Sequence, residues 1–124
     1  MSELRDRGVE MRTRVLGEDG FAANPPREDE FTAPFSKLLL EYCWGSIWGD
    51  DTIDHRTRSL INVALLAALN RPGQFKTHLR GALNNGCTQA EISAVLQQVA
   101  VYAGIPAGAE AFRLAREVLG DDLV

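Results

Sequence analysis

The segment Phe75-Lys76-Thr77-His78-Leu79-Arg80-Gly81-Ala82-Leu83-Asn84-Asn85-Gly86 carries the groups best suited to acid and anion chemistry. An imidazole such as His78 can give or take a proton near neutral pH, and partial burial tunes it. Its other reading is a hydrogen-bonded structural histidine at the edge of a core. Arg58 and Arg80 could reach one pocket from adjacent helices and hold a dicarboxylate through forked, charge-assisted bonds. Alternatively, the arginines at 56 and 58 pair with Asp50, Asp51, Asp54 or Glu41 at helix ends. Trp44 and Trp48 are four residues apart and share a helical side, with Gly45 permitting close approach. They could wall a pocket for a flat ring, or pack in a core or a subunit contact. His55 beside Asp54 reads as hydrogen bonding at a helix start.

The elements that must position these groups are helices. Residues 3–16 form a partly amphipathic helix, with Leu4, Val9, Met11, Val15 and Leu16 among many charges. A long connection from Gly17 to Pro34 follows, with Phe21 and Phe31 as apolar anchors. Pro34 suits the first position of a helix, whose buried stripe is expected at Phe35, Leu38, Leu39 and Tyr42, ending near Trp48. The next helix, 55–69, is expected to be the central core helix through Leu60, Ile61, Ala64, Leu65, Ala68 and Leu69. Asn70-Arg71-Pro72-Gly73 breaks it. The His78 helix spans about 73–84 and exits at Asn85-Gly86. Its apolar side is Phe75, Leu79, Ala82 and Leu83, and Arg71, Gln74 and His78 share another side. Thr88-Gln89-Ala90-Glu91 is a capping box opening a helix with Ile92, Val95, Leu96 and Val99 on one face. Gly104-Ile105-Pro106 separates it from a last helix that runs to about residue 119. No segment alternates with a strand's period. The expectation is one all-α domain, 1–124, with short connections. Its apolar surface is more than a chain of this length can hide, which favours self-association.

Composition narrows the function further. The net charge is -4 and the pI about 5.1, which disfavours nucleic acid as a partner. Of thirteen basic residues only Lys37 and Lys76 are lysines, and arginine suits small acidic ligands. No apolar run is long enough for a membrane span and no signal pattern opens the chain, so the expected location is cytoplasmic, without membrane association. Cys43 and Cys87 are isolated and read as small buried hydrophobes, not as a disulfide. Zinc-type spacing, a glycine-rich phosphate loop and GxSxG are absent, so neither a metal nor a cofactor is expected.

Several segments in order resemble the 4-carboxymuconolactone decarboxylase family. They are Tyr42-Cys43-Trp44-Gly45-Ser46-Ile47-Trp48, Asp54-His55-Arg56-Thr57-Arg58-Ser59-Leu60-Ile61, Leu69-Asn70-Arg71, His78 through Gly86, and Ala100-Val101-Tyr102-Ala103-Gly104-Ile105-Pro106-Ala107. The resemblance runs over nearly the whole chain. It implies an alkyl hydroperoxidase D-like bundle of about six helices, assembled as a homo-oligomer, a hexamer or trimer. The implied reaction is decarboxylation, without a cofactor, of 4-carboxymuconolactone to 3-oxoadipate enol-lactone in aromatic catabolism through protocatechuate. On this reading Arg58 or Arg80 anchors a carboxylate. His78 hydrogen-bonds the lactone oxygen or protonates the ring carbon. Trp44, Ser46, Trp48 and Tyr102 line the substrate. Peroxidase relatives place paired cysteines where this chain has Arg71 and Gln74, and an acid at about Ser59, so the thiol redox machinery is missing. Ser46 replaces a glutamate usual among the decarboxylases, and Gly81 a common alanine. The serine keeps two alternatives open. One is a decarboxylase or isomerase of another lactone or cyclic keto acid, biosynthetic in role; the other is a non-catalytic oligomeric ligand-binding protein.

Overall fold

Six α-helices account for most of the chain in a computed structural model, which describes residues 2–23, 25 and 27–124, the side chains of 21–23 excepted. No strand occurs among the described residues. The helices are α1 (Glu3–Ala23), α2 (Ala33–Leu38), α3 (His55–Ala68), α4 (Pro72–Asn84), α5 (Gln89–Ala103) and α6 (Ile105–Leu119), with a π-helical segment, Leu39–Ile47, continuing α2. They fall into two units, Met1–His55 and Arg56–Val124.

In the first unit α1 lies against the π-helical segment. Glycines set the distance of approach. A Cβ on Gly8 would collide with the Leu40 carbonyl oxygen and stand 2.7 Å from its carbon; one on Gly45 would stand 2.6 Å from the Leu4 carbonyl oxygen. This contact closes a small core of Met11, Val15, Leu16, Trp44 and Trp48. Ser2 Oγ donates to Glu41 at 2.6 Å, and Arg7 donates to the Gly49 carbonyl.

Three expectations fail in this unit. The connection predicted from Gly17 is partly helical: Gly17 takes φ 80°, ψ 161°, and helix resumes as far as Ala23. Glycine alone tolerates that break without strain. Phe31 is no anchor, being 97% exposed; Phe21 lies outside the described side chains. Of the predicted stripe, Phe35, Leu38 and Tyr42 are exposed and Leu39 is partly buried, while Ser36, Leu40, Trp44 and Trp48 are buried. The cause is the wider turn. Trp48 N–H reaches the Cys43 carbonyl at 3.0 Å, an i→i+5 bond, and a mixed α and π register keeps a repeat of four in line where a repeat of 3.6 would drift.

The second unit packs α3 to α6 around Val63, Phe75, Leu79, Ala82, Ile92, Leu96, Val99, Ala111 and Leu114. Its helix boundaries follow local signals. Gly86 exits α4 at φ 88°, and Gly104 separates α5 from α6 at φ 119°, values that glycine adopts at little cost. Thr88 Oγ1 accepts from the Glu91 amide at 3.1 Å while Glu91 accepts from the Thr88 amide at 2.9 Å, the predicted capping box. Helix α3 is the exception. Its core face is Ser59, Val63 and Ala67; of the predicted core residues, Leu60 and Ala64 pack partly buried against it, while Ile61, Leu65, Ala68 and Leu69 are exposed. Both sides of α3 are apolar, so hydropathy leaves the choice of face to packing.

Candidate functional site

The His78 region is built by α3 and α4. Phe75, Leu79 and Ala82 are almost fully buried and fix the rotation of α4. His78 then sits on the flank of that buried face, partly exposed. Its Nδ1 lies 3.4 Å from the Asn62 side-chain nitrogen. Asn62 is four residues after Arg58, so Arg58 and Asn62 share one side of α3. Arg58 itself is partly buried. The second unit thus brings a carboxamide and an imidazole together, with an arginine one turn earlier on the same side of α3.

Arg80 does not join them. Residues two apart on a helix point in nearly opposite directions, and Arg80 is exposed on the side of α4 away from Phe75 and Leu79. The expected pairing of Arg58 and Arg80 in one pocket therefore fails within one chain. Arg56 is also redirected. It pairs with Glu91, the capping-box residue of α5, a partner the sequence reading did not offer. That bond and the Thr88 donors hold the Glu91 carboxyl down at about 2.

Trp44 and Trp48 stack on each other at 4.8 Å between centroids. Both are buried in the core of the first unit, the packing role weighed against that of a pocket wall. Trp48 also meets the His55 ring edge-on at 5.7 Å. His55 Nε2 lies 2.9 Å from the Trp48 carbonyl oxygen; a carbonyl only accepts, so this nitrogen carries a proton. Ser46 is exposed on the π-helical segment. Tyr102 is 85% exposed and lines an open apolar groove of about 460 Å³ with Leu60, Ile61, Ala64, Leu65 and Val95.

Ser59 is fully buried and accepts from Asn85 Nδ2 at 2.9 Å. Cys87 is buried and Cys43 half-buried, neither in a disulfide; burial pushes the Cys43 thiol up. Among the described residues no three of His, Cys, Asp and Glu come together as a metal site requires. No described helix is long and apolar enough to cross a membrane. Asn62 went unnoticed in the sequence. The available signal was its isolation, the one polar residue in 60–69, where a polar group on an apolar helix needs a partner.

Residues 33–117 match the carboxymuconolactone decarboxylase family. The chain is 35% identical over 114 residues to a 4-carboxymuconolactone decarboxylase of Acinetobacter baylyi, an alignment covering 92% of this chain and 85% of that one. It is 34% identical over 119 residues to a nitrosuccinic acid decarboxylase of Metarhizium robertsii, covering 95% and 82% respectively. The chain belongs to the carboxymuconolactone decarboxylase family, with the all-α, alkyl hydroperoxidase D-like fold, and is an enzyme of the carboxy-lyase class.

Proposed function

We propose that this enzyme decarboxylates 4-carboxymuconolactone to 3-oxoadipate enol-lactone, in the breakdown of aromatic compounds through protocatechuate. The observation that carries the reading is the contact of Asn62 with His78, with Arg58 one turn before Asn62 on α3, in a chain similar to a 4-carboxymuconolactone decarboxylase along most of its length. The carbon–carbon bond to the leaving carboxylate breaks and its electron pair enters the ring. The conjugated double bond passes that charge to the lactone carbonyl oxygen. A proton then adds to the ring carbon next to the carbonyl, so one proton is consumed for each carbon dioxide released. Arg58 holds the acetate arm, which keeps its charge throughout. His78 donates to the developing oxyanion or delivers the proton, and either role acts on charge that appears only in the transition state. Arg80 is left outside this assignment by its direction on α4.

Incubation with 4-carboxymuconolactone, following carbon dioxide release, tests the substrate. His78→Ala is expected to lower turnover by about 10²–10³; unchanged turnover sinks the assignment of His78. A second acid merits the same assay. Nitrosuccinic acid also carries two carboxylates and a group, the nitro group, able to take up the electron pair left by carbon dioxide, and the second relative is named for it. Release from nitrosuccinate and none from the lactone would move the proposal to that acid.

The proposal includes a homo-oligomer, a hexamer or trimer. Exposed Phe35, Leu38 and Tyr42 in one unit and Ile61, Leu65 and Tyr102 in the other support it, because monomers seldom leave so many large apolar side chains in water. Light scattering on the purified protein would show a monomer if this is wrong.

A further inference from the structure

A neutral imidazole carries one proton, and the partner of one ring nitrogen decides where that proton sits. In this protein Nδ1 of His78 faces Asn62, whose side-chain nitrogen lies 3.4 Å away. An amide N–H facing Nδ1 needs a lone pair there. The proton of the ring is then on Nε2. The geometry points to Asn62 as a positioning residue that holds His78 in the Nε2–H tautomer and so makes it a donor rather than a base. This inference rests on the reading of His78 as the donor in decarboxylation.

The tautomer matters because of where charge develops. Loss of carbon dioxide sends an electron pair toward an acceptor oxygen. An N–H directed at that oxygen stabilises it; a nitrogen lone pair in the same place repels it. The distance to Asn62 is long for a hydrogen bond, as contacts of this kind often are before substrate arrives. The opposite amide orientation would place oxygen against Nδ1, move the proton there and leave Nε2 as a base. One contact thus separates two chemistries, and a spectrum can read which is present.

The chain has two histidines, His55 and His78, so ring nitrogen-15 spectra of the full-length protein are simple. A His78→Gln control assigns the signals. At a pH where the ring is neutral, His78 is expected to show a protonated Nε2 and an unprotonated Nδ1. Asn62→Leu, close in volume and unable to donate, is expected to give a mixture of tautomers. It should also lower kcat about 10- to 100-fold, the range carried by groups that orient histidines in metal sites, with KM little changed. A wild-type ring protonated at Nδ1 overturns the inference, as does a leucine variant that folds and leaves the ring shifts and kcat unaltered. The wild-type spectrum needs no variant, so a misfolded Asn62→Leu protein leaves the test intact. It also needs no substrate: an enzyme inactive on both acids would refute the proposed reaction while the spectrum still decides the role of Asn62.

Discussion

Gly8→Ala sets two physical effects against each other, and the structure says which wins. Alanine is favoured over glycine inside a helix by about 1 kcal/mol, so helix propensity alone predicts a more stable protein. The new Cβ, however, would stand 2.7 Å from the Leu40 carbonyl carbon and 3.2 Å from the Gly45 nitrogen. Carbon atoms pack best at about 3.5–4.0 Å, so α1 and the π-helical segment must separate by about 1 Å. The obstacles are backbone atoms, so no side chain can rotate aside. Overpacking of this kind costs about 1–3 kcal/mol and occasionally more; contact with rigid backbone puts Gly8 at the upper end. The expected net loss is about 2 kcal/mol, against a total stability on the order of 5–15 kcal/mol. For a chain of this size that lowers the midpoint of thermal unfolding by about 8 °C. The only two tryptophans, Trp44 and Trp48, lie in the core that this contact closes. Their fluorescence on heating therefore reports the affected unit directly. Gly73→Ala is the control: nothing lies within 4 Å of its Cβ, so propensity acts alone, and a gain of about 0.5–1 kcal/mol is expected by circular dichroism. A Gly8→Ala protein whose tryptophan transition matches or exceeds that of the wild type would refute the close-approach argument.

Other perturbations test the second unit and the thiols. Phe75→Ala removes a side chain that is 1% exposed and should cost about 3–5 kcal/mol in urea unfolding; a loss under 1 kcal/mol would mean the site beneath His78 is not the packed core described. Arg56 and then Thr88 lower the Glu91 carboxyl from 4.5 to about 2. A depressed folded value contributes stability that is complete above 4.5 and fades as the pH falls toward 2. The difference between wild type and Glu91→Gln in urea midpoint should therefore shrink over that window, and a constant difference would exclude the linkage. Cys87 is buried, and the Cys43 thiol is raised by burial. A thiol reagent should modify the native protein slowly and both cysteines rapidly once it is unfolded; fast modification of the folded protein would contradict that placement.

The candidate site was only half legible beforehand. The flank position of His78 follows from the 3.6-residue period, since Phe75, Leu79 and Ala82 define the buried face and His78 lies beside it. The separation of Arg80 from His78 follows from the same period and needed no structure. Asn62 could not be paired with His78 from the sequence, because the two meet only when α3 and α4 dock. The partner of Arg56 was hidden for the same reason: Glu91 is distant in sequence and was recognisable only as a cap.

By itself the sequence determined where the helices of the second unit start and stop, and the family to which the chain belongs. Those boundaries rest on short-range chemistry: the Thr88–Glu91 reciprocal bonds, the left-handed exit at Gly86 and the positive φ of Gly104 all act within a few residues. Tertiary structure decided which face each helix buries. In α3 the residues Ile61, Leu65 and Ala68 are apolar like Val63 and Ala67, so burying either face gains similar hydrophobic free energy, and only packing against Phe75, Leu79 and Leu96 selects one. In the segment from Ala33 to Trp48 the change to i→i+5 bonding turned the buried stripe from the expected Phe35, Leu38, Leu39 and Tyr42 to Ser36, Leu40, Trp44 and Trp48. Hydropathy read at a fixed period has no access to that register, because the close contacts at Gly8 and Gly45 accompany it.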